Sequence, residues 1–201
     1  MEFVLRRKPA LARLAVFPGA FNPPTLAHQA MTLAALSHAD EVVLALSTCM
    51  PHKSMEPAEV ARRLEWMRLL AEDDDRISVA VFSSGLFVEM ARDARRSSGI
   101  GEISIVCGRD AAERAFHWDY GDGPPFADQL NEFTLLVAPR SGHIDVPSPL
   151  VERIILLDLD RQLQSLSSTE ARQRLVDGAA IEELVPGRIA RLLHQTREPL
   201  A

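Results

Sequence analysis

Cysteine is scarce in this chain. It has two, Cys49 and Cys107, each closing an apolar run. A disulfide framework or a thiolate metal site is therefore not expected, and both read as buried free thiols of a reducing compartment. Long apolar runs are missing too: none approaches the ~20 residues that a membrane-spanning helix needs. The opening stretch has basic residues at Arg6, Arg7 and Lys8 but neither a continuous apolar segment nor a small-residue cleavage site. No secretory leader is expected from it, and a cytoplasmic protein without a membrane partner is the expectation. Basic charge is not in excess either. Lysine and arginine number 22 against 28 aspartates and glutamates, a net charge of -6. That balance argues against broad binding to nucleic-acid phosphates, though not against a small anion held by a local cluster of arginines. Internal repeats and low-complexity segments are absent from the sequence, and so is a Gly-x-Gly-x-x-Gly turn after the first apolar run, which a dinucleotide-dependent dehydrogenase would carry.

What is present is an alternation. Short apolar runs occur at Leu14–Phe17, Glu41–Leu46, Ile77–Phe82, Ile103–Cys107, Thr134–Ala138 and Ile154–Leu157. Runs this short and unalternating suit strands buried on both faces. Between them lie helix-like segments: His28–Leu36, Glu56–Ala71 with Pro57 in its first turn, and Leu86–Arg95. Tyr120–Phe126 and Arg140–Pro149 read as irregular excursions, and two short helices are expected near Ser168 and Gly187. The pattern predicts an α/β fold: a doubly wound, mostly parallel sheet with helices on both faces. One domain is expected over 1–201, with a sheet core of about 12–160 and a C-terminal helical part of about 161–201. A homo-oligomer is compatible with the pattern.

Ligands of such sheets bind beyond the carboxyl ends of the strands. After the first run comes Pro18-Gly19-Ala20-Phe21-Asn22-Pro23-Pro24-Thr25-Leu26-Ala27-His28. Gly19 and Ala20 leave room for a ligand near the backbone, and a helix opening near Thr25 offers free N–H groups to a phosphate. Thr25 and His28, three apart, share a face. Without further context Thr25 is a cap and His28 a surface histidine. Similarly, Leu166-Ser167-Ser168-Thr169-Glu170-Ala171-Arg172 is a capping run with an arginine returning to the face of Thr169.

Together, GAFNPPTLAH and LSSTEAR resemble the signatures of the nucleotidyltransferase superfamily, with a Rossmann-like fold, and of its nicotinate/nicotinamide mononucleotide adenylyltransferases in particular. Weaker resemblances reach from Leu14 to Leu193. They include Pro51-His52-Lys53, Arg62 with Met67, Gly108-Arg109-Asp110 and Trp118. The resemblance implies transfer of an adenylyl group from ATP, with magnesium, to a small mononucleotide. It assigns His28 and Thr25 to catalysis. Gly19, Ala20, Phe21, Lys53, Gly108, Asp110, Ser167, Ser168, Thr169 and Arg172 fall to ATP and its phosphates, with Asn22 and Trp118 facing the acceptor. No protein residue is assigned to the metal. The alternatives for Asp110 and Trp118 are a helix cap and a core residue. Three departures stand out: Thr25 where many members have His, Ala27 where they have Gly, and Ser83–Glu89 (SSGLFVE) where nicotinate-specific members carry a Tyr-Thr-x-Asp-Thr-like stretch. The last leaves the acceptor open, so a sister transferase or a non-catalytic nucleotide-binding protein remain the rivals.

Overall fold

The computed structural model describes residues 1–50, 53–139 and 148–196. Strands and helices alternate in the order β1 (Glu2–Leu5), β2 (Arg13–Pro18), α1 (Leu26–Ala35), β3 (Glu41–Ser47), β4 (Cys49–Met50), β5 (Lys53–Ser54), α2 (Pro57–Ala71), β6 (Ile77–Phe82). They continue through α3 (Phe87–Ser98), β7 (Glu102–Gly108), α4 (Arg109–His117), α5 (Phe126–Gln129) and β8 (Thr134–Ala138). A 3-10 turn (Ser148–Arg153), β9 (Ile154–Leu156), α6 (Arg161–Gln164), α7 (Ser168–Val176) and α8 (Gly187–Thr196) complete the chain. All six expected apolar runs are strands. The two-residue strands β4 and β5 form a separate small hairpin.

Seven strands make one sheet in the order β1-β6-β3-β2-β7-β8-β9. Every neighbouring pair is parallel except β1 with β6. Successive residues of a strand face opposite sides, and both sides are covered. Leu14, Val16, Ile103 and Ile105 pack with Val88, Ala91 and Ala94 of α3 and Ala112 of α4. Ala15, Phe17, Val42 and Leu44 pack with Met31 and Ala35 of α1 and Met67 and Leu70 of α2. A third cluster sets Trp66, on the outer side of α2, against Ala171, Ile181, Leu184, Val185 and Ile189 of the C-terminal part.

The expected sheet boundary near residue 12 is corrected: the sheet begins at Glu2. Strand β1 was missed because it is a four-residue edge strand with no fully buried side chain, so it lacks the apolar run that marks the others. What fixes the segment after it is a single buried carboxylate. Glu41, fully buried, receives Arg6 Nε at 2.9 Å and Nη2 at 2.8 Å, the Ala10 N–H at 2.7 Å and the Ser78 hydroxyl at 2.6 Å. A buried carboxylate needs this many donors to offset its lost hydration.

Candidate active site

Strand order reverses between β2 and β7: the chain leaves β2 towards β3 on one side and later returns to add β7 on the other. In a doubly wound sheet this switch opens a crevice at the carboxyl ends of the two strands. Pro18–His28 follows β2 and Gly108-Arg109-Asp110 follows β7, so both motifs meet at this crevice.

The turn after β2 is tightly built. Phe21 has φ 46°, a left-handed backbone that bulky residues seldom adopt. Its ring is fully buried and lies in edge contact with Phe17, centroids 5.5 Å apart. The same ring fills the space over Gly19, where an added Cβ would meet Phe21 Cε2 at 2.9 Å. The space that a side chain at Gly19 would need is therefore occupied by Phe21, while Ala20 is exposed. Phe21 acts as a support, and only its backbone can meet a ligand.

Side chains from distant parts of the sequence hold the carbonyls of this turn. Arg63 of α2 donates Nη1 to Ala20 O at 3.1 Å, and it pairs with Glu59 one helical turn earlier. Arg172 of α7 donates Nη1 to Asn22 O at 2.8 Å, and the Ser168 hydroxyl donates to Pro23 O at 2.8 Å. Leu26 N–H bonds Leu184 O at 2.9 Å. The two sequence motifs, far apart in the chain, thus form one structure. Arg63 rather than Arg62 makes the contact; Arg62 lies over the Trp66 ring at 5.6 Å. The sequence carried the signal, because Arg63, Met67 and Leu70 fall on one buried stripe of α2.

His28 is set by Thr25. The Thr25 N–H donates to His28 Nδ1 at 3.1 Å, and the Thr25 hydroxyl lies 2.8 Å from the same nitrogen. An accepting Nδ1 carries no proton, so the neutral ring holds its proton on Nε2. Phe17 stacks on the imidazole with centroids 5.9 Å apart, and Phe21 lies at 5.2 Å. Thr25 itself is fully buried. Its hydroxyl is turned to the histidine ring and away from solvent.

At α7 the cap is Ser167, whose hydroxyl accepts Glu170 N–H at 3.1 Å, not Ser168 or Thr169. Ser168 is spent on Pro23, and Thr169 Oγ1 accepts Arg172 Nη2 at 3.3 Å. Arg172 pairs with no carboxylate among the described residues, so its charge remains available at the crevice. Lys53 is in β5, but its side chain lies outside the described residues, as do Pro51, His52 and the Cys49 side chain. Across the crevice, Gly108 caps α4 with open space where a Cβ would stand. Asp110 is exposed in the first helical turn, where a carboxylate suits the positive helix end. It is not the cap residue. Just before Gly108, burial pushes the Cys107 thiol up to about 12, so it stays protonated and inert.

Trp118 is 56% exposed, which rules out the core alternative. It lines a pocket of about 530 Å³ with Ser83–Phe87, Glu89, Ala111, Arg114 and Tyr120. The Tyr120 hydroxyl donates to Ala115 O at 3.0 Å, and desolvation raises its pKa. The departing stretch Ser83–Glu89 therefore forms one wall of the pocket that holds Trp118. Asn22, 6% exposed, is not among its walls.

Residues 16–174 match the model of the cytidylyltransferase-like family. A Thermus thermophilus protein named probable nicotinate-nucleotide adenylyltransferase is 29% identical over 188 residues, covering 87% of this chain and 92% of its own length. A phosphopantetheine adenylyltransferase of Kocuria rhizophila is 39% identical over 96 residues, 48% of this chain and 56% of its own. Among solved structures, the Plasmodium falciparum nicotinic acid mononucleotide adenylyltransferase complexed with NaAD superposes with a TM-score of 0.71. It is 16% identical, covering 92% of this chain and 96% of that one, a likeness of fold.

Proposed function

Since the chain belongs to the cytidylyltransferase-like family, we propose that it transfers the adenylyl group of ATP to the phosphate of nicotinate or nicotinamide mononucleotide, giving the dinucleotide and pyrophosphate. The observation that carries this reading is the junction of the two motifs. His28, with its proton on Nε2, and Arg172, with no carboxylate partner, are both anchored on one turn at the sheet's switch point. A separate pocket under Trp118 offers a flat aromatic face for the acceptor's ring.

The acceptor phosphate oxygen attacks the α-phosphorus of ATP in line. The new P–O bond forms as the bond to the bridging oxygen breaks, and pyrophosphate leaves. Nothing in this step needs a protein nucleophile, so the rate comes from positioning and from donors aimed at developing charge. His28 Nε2–H would donate to the α-phosphoryl oxygens. Arg172 and the α7 N-terminus, with Ser167, Ser168 and Thr169 shaping it, would hold the β- and γ-phosphates. Asp110 accepts ribose hydroxyls in this reading, and Ala20 and Gly108 offer backbone to the nucleotide. Among the described residues no three His, Cys, Asp or Glu side chains converge as a metal cage. Magnesium bound with ATP would supply positive charge beside the phosphates that Arg172 and the α7 N-terminus would hold.

The test is pyrophosphate release from ATP and magnesium with a panel of acceptors: the acid and amide mononucleotides and phosphopantetheine. Turnover with a pyridine mononucleotide is expected. Turnover with phosphopantetheine alone would move the chain to a sister transferase, and none with any acceptor leaves a nucleotide-binding protein without turnover.

A further inference from the structure

The opposite edge of the sheet, at the amino ends of β2, β7, β8 and β9, holds another cavity of about 580 Å³. That is within the usual range of small-molecule sites. Its basic walls are Arg13, Arg95, Arg153 and His38, and its acidic ones Glu102 and Glu132. The pairing of these charges decides what the cavity can hold. Arg13 is paired with Asp40, Nη2 to Oδ1 at 3.1 Å. Glu132 is spent on Arg92, which donates Nε to Oε2 at 2.8 Å. Arg95 is held differently, by two neutral carbonyls: Nη2 to Glu132 O at 2.6 Å and Nε to Gly101 O at 3.4 Å. Those carbonyls fix the guanidinium without neutralising it by direct pairing. The side chains of Arg153 and His38 make no hydrogen bond or ion pair among the described residues. Two guanidinium charges, one of them fixed in place, therefore face a single carboxylate without a partner, Glu102. In a chain of net charge -6 this local excess of positive charge runs against the whole. The hydroxyls of Ser104 and Thr134 and the amide of Asn131 add neutral polar groups to the walls.

We propose that this cavity is a binding site for a small phosphate monoester, with Arg95 and Arg153 meeting the phosphate and the remaining polar walls meeting the hydroxyls of its organic part. Arginine suits a phosphate because its planar fork can give two parallel hydrogen bonds, and Arg95 needs little further ordering to do so. The volume exceeds what a bare phosphate fills, so an attached sugar-sized group is accommodated. Strands of six or seven residues separate this edge from the His28 crevice by about 20 Å at ~3.3 Å per residue. One small ligand cannot span both, so the two sites are distinct.

The experiment is calorimetric titration of the full chain with ribose 5-phosphate, with ribose as the uncharged control. Arg153→Glu is the informative variant, because Arg153 is exposed and makes no contact the fold depends on. Binding by the wild type and not of ribose is expected. Affinity should fall about tenfold or more in Arg153→Glu, with pyrophosphate release unchanged, and stay unchanged in Arg172→Ala. His38→Glu provides the same reading should Arg153→Glu melt early. Loss in Arg172→Ala with full binding in Arg153→Glu would place the phosphate in the crevice alone and overturn the proposal. So would no measurable binding by the wild type at about 10 mM.

Discussion

In the proposed reaction His28 is a donor to developing charge, and Thr25, Phe17 and Phe21 hold its ring. The Thr25 N–H donates to Nδ1, which leaves the proton of the neutral ring to Nε2 before any ligand arrives. His28→Ala removes a preorganised donor to charge that develops in the transition state, and such losses cost about 10²–10³-fold in kcat. Steady-state rates with both substrates saturating check this; near-normal kcat would return His28 to the surface. Trp118 makes a different prediction. In the proposed reaction its contact with the acceptor's ring would exist before and during transfer, so Trp118→Ala should raise the acceptor KM several-fold and leave kcat and the ATP KM within about twofold. Being 56% exposed, it should shift stability by no more than about 0.5 kcal/mol, which a melting curve tests. The His28 motif was visible in the sequence just beyond β2, whereas Trp118, directly after α4, stood out only through the resemblance. The division of labour around them was not legible. Whether Ser167 or Ser168 caps α7 depends on where the Ser168 hydroxyl finds an acceptor, and that acceptor, Pro23 O, lies 145 residues away.

At the scale of elements, the turn after β2 is held between α2 and α7. Arg172 therefore serves two ends at once, anchoring Asn22 O and keeping its charge available at the crevice. Arg172→Lys keeps charge but loses the fork that spans Asn22 O and Thr169 Oγ1. Its effect should fall on the ATP KM and on kcat together, each by about tenfold, with the acceptor KM little changed. An effect confined to the acceptor KM would reject the assignment. Farther out, β1 depends on the Glu41 cluster. Glu41→Ala leaves Arg6, the Ala10 N–H and the Ser78 hydroxyl without their common acceptor. The expected loss is roughly 2–4 kcal/mol, moderated because Arg6 reaches water. Denaturant midpoints measure it, and kcat at low temperature should hold, since β6 and β3 stand between β1 and β2. No periodicity could reveal β1, because an edge strand with half-exposed residues has no buried stripe. The lone acid opening the second apolar run, Glu41, was the available clue: a carboxylate at a buried strand position demands a cationic partner.

For the whole molecule, alternation of apolar runs made the doubly wound sheet legible, since parallel strands buried on both faces need such runs. The strand order was not legible, because order depends on which helices cover which face. The C-terminal helices close the molecule. Trp66 on α2 is 2% exposed, covered by Ala171, Ile181, Leu184, Val185 and Ile189. Through Leu184 O the same segment caps the start of α1. Residues 161–201 should therefore unfold with the sheet as one cooperative unit. The sequence has two tryptophans, so in a Trp118→Phe background fluorescence reports Trp66 alone. Its denaturant transition should coincide with that of the far-ultraviolet circular dichroism, as two-state unfolding requires. Truncation after Asp160 should expose Trp66 and lower the midpoint sharply. It would also remove Ser168 and Arg172 from the turn, so activity should vanish even where the fragment stays folded at low temperature. An earlier fluorescence transition, or a fragment 1–160 with the full chain's midpoint, would mean that the C-terminal part is an appended unit with its own stability.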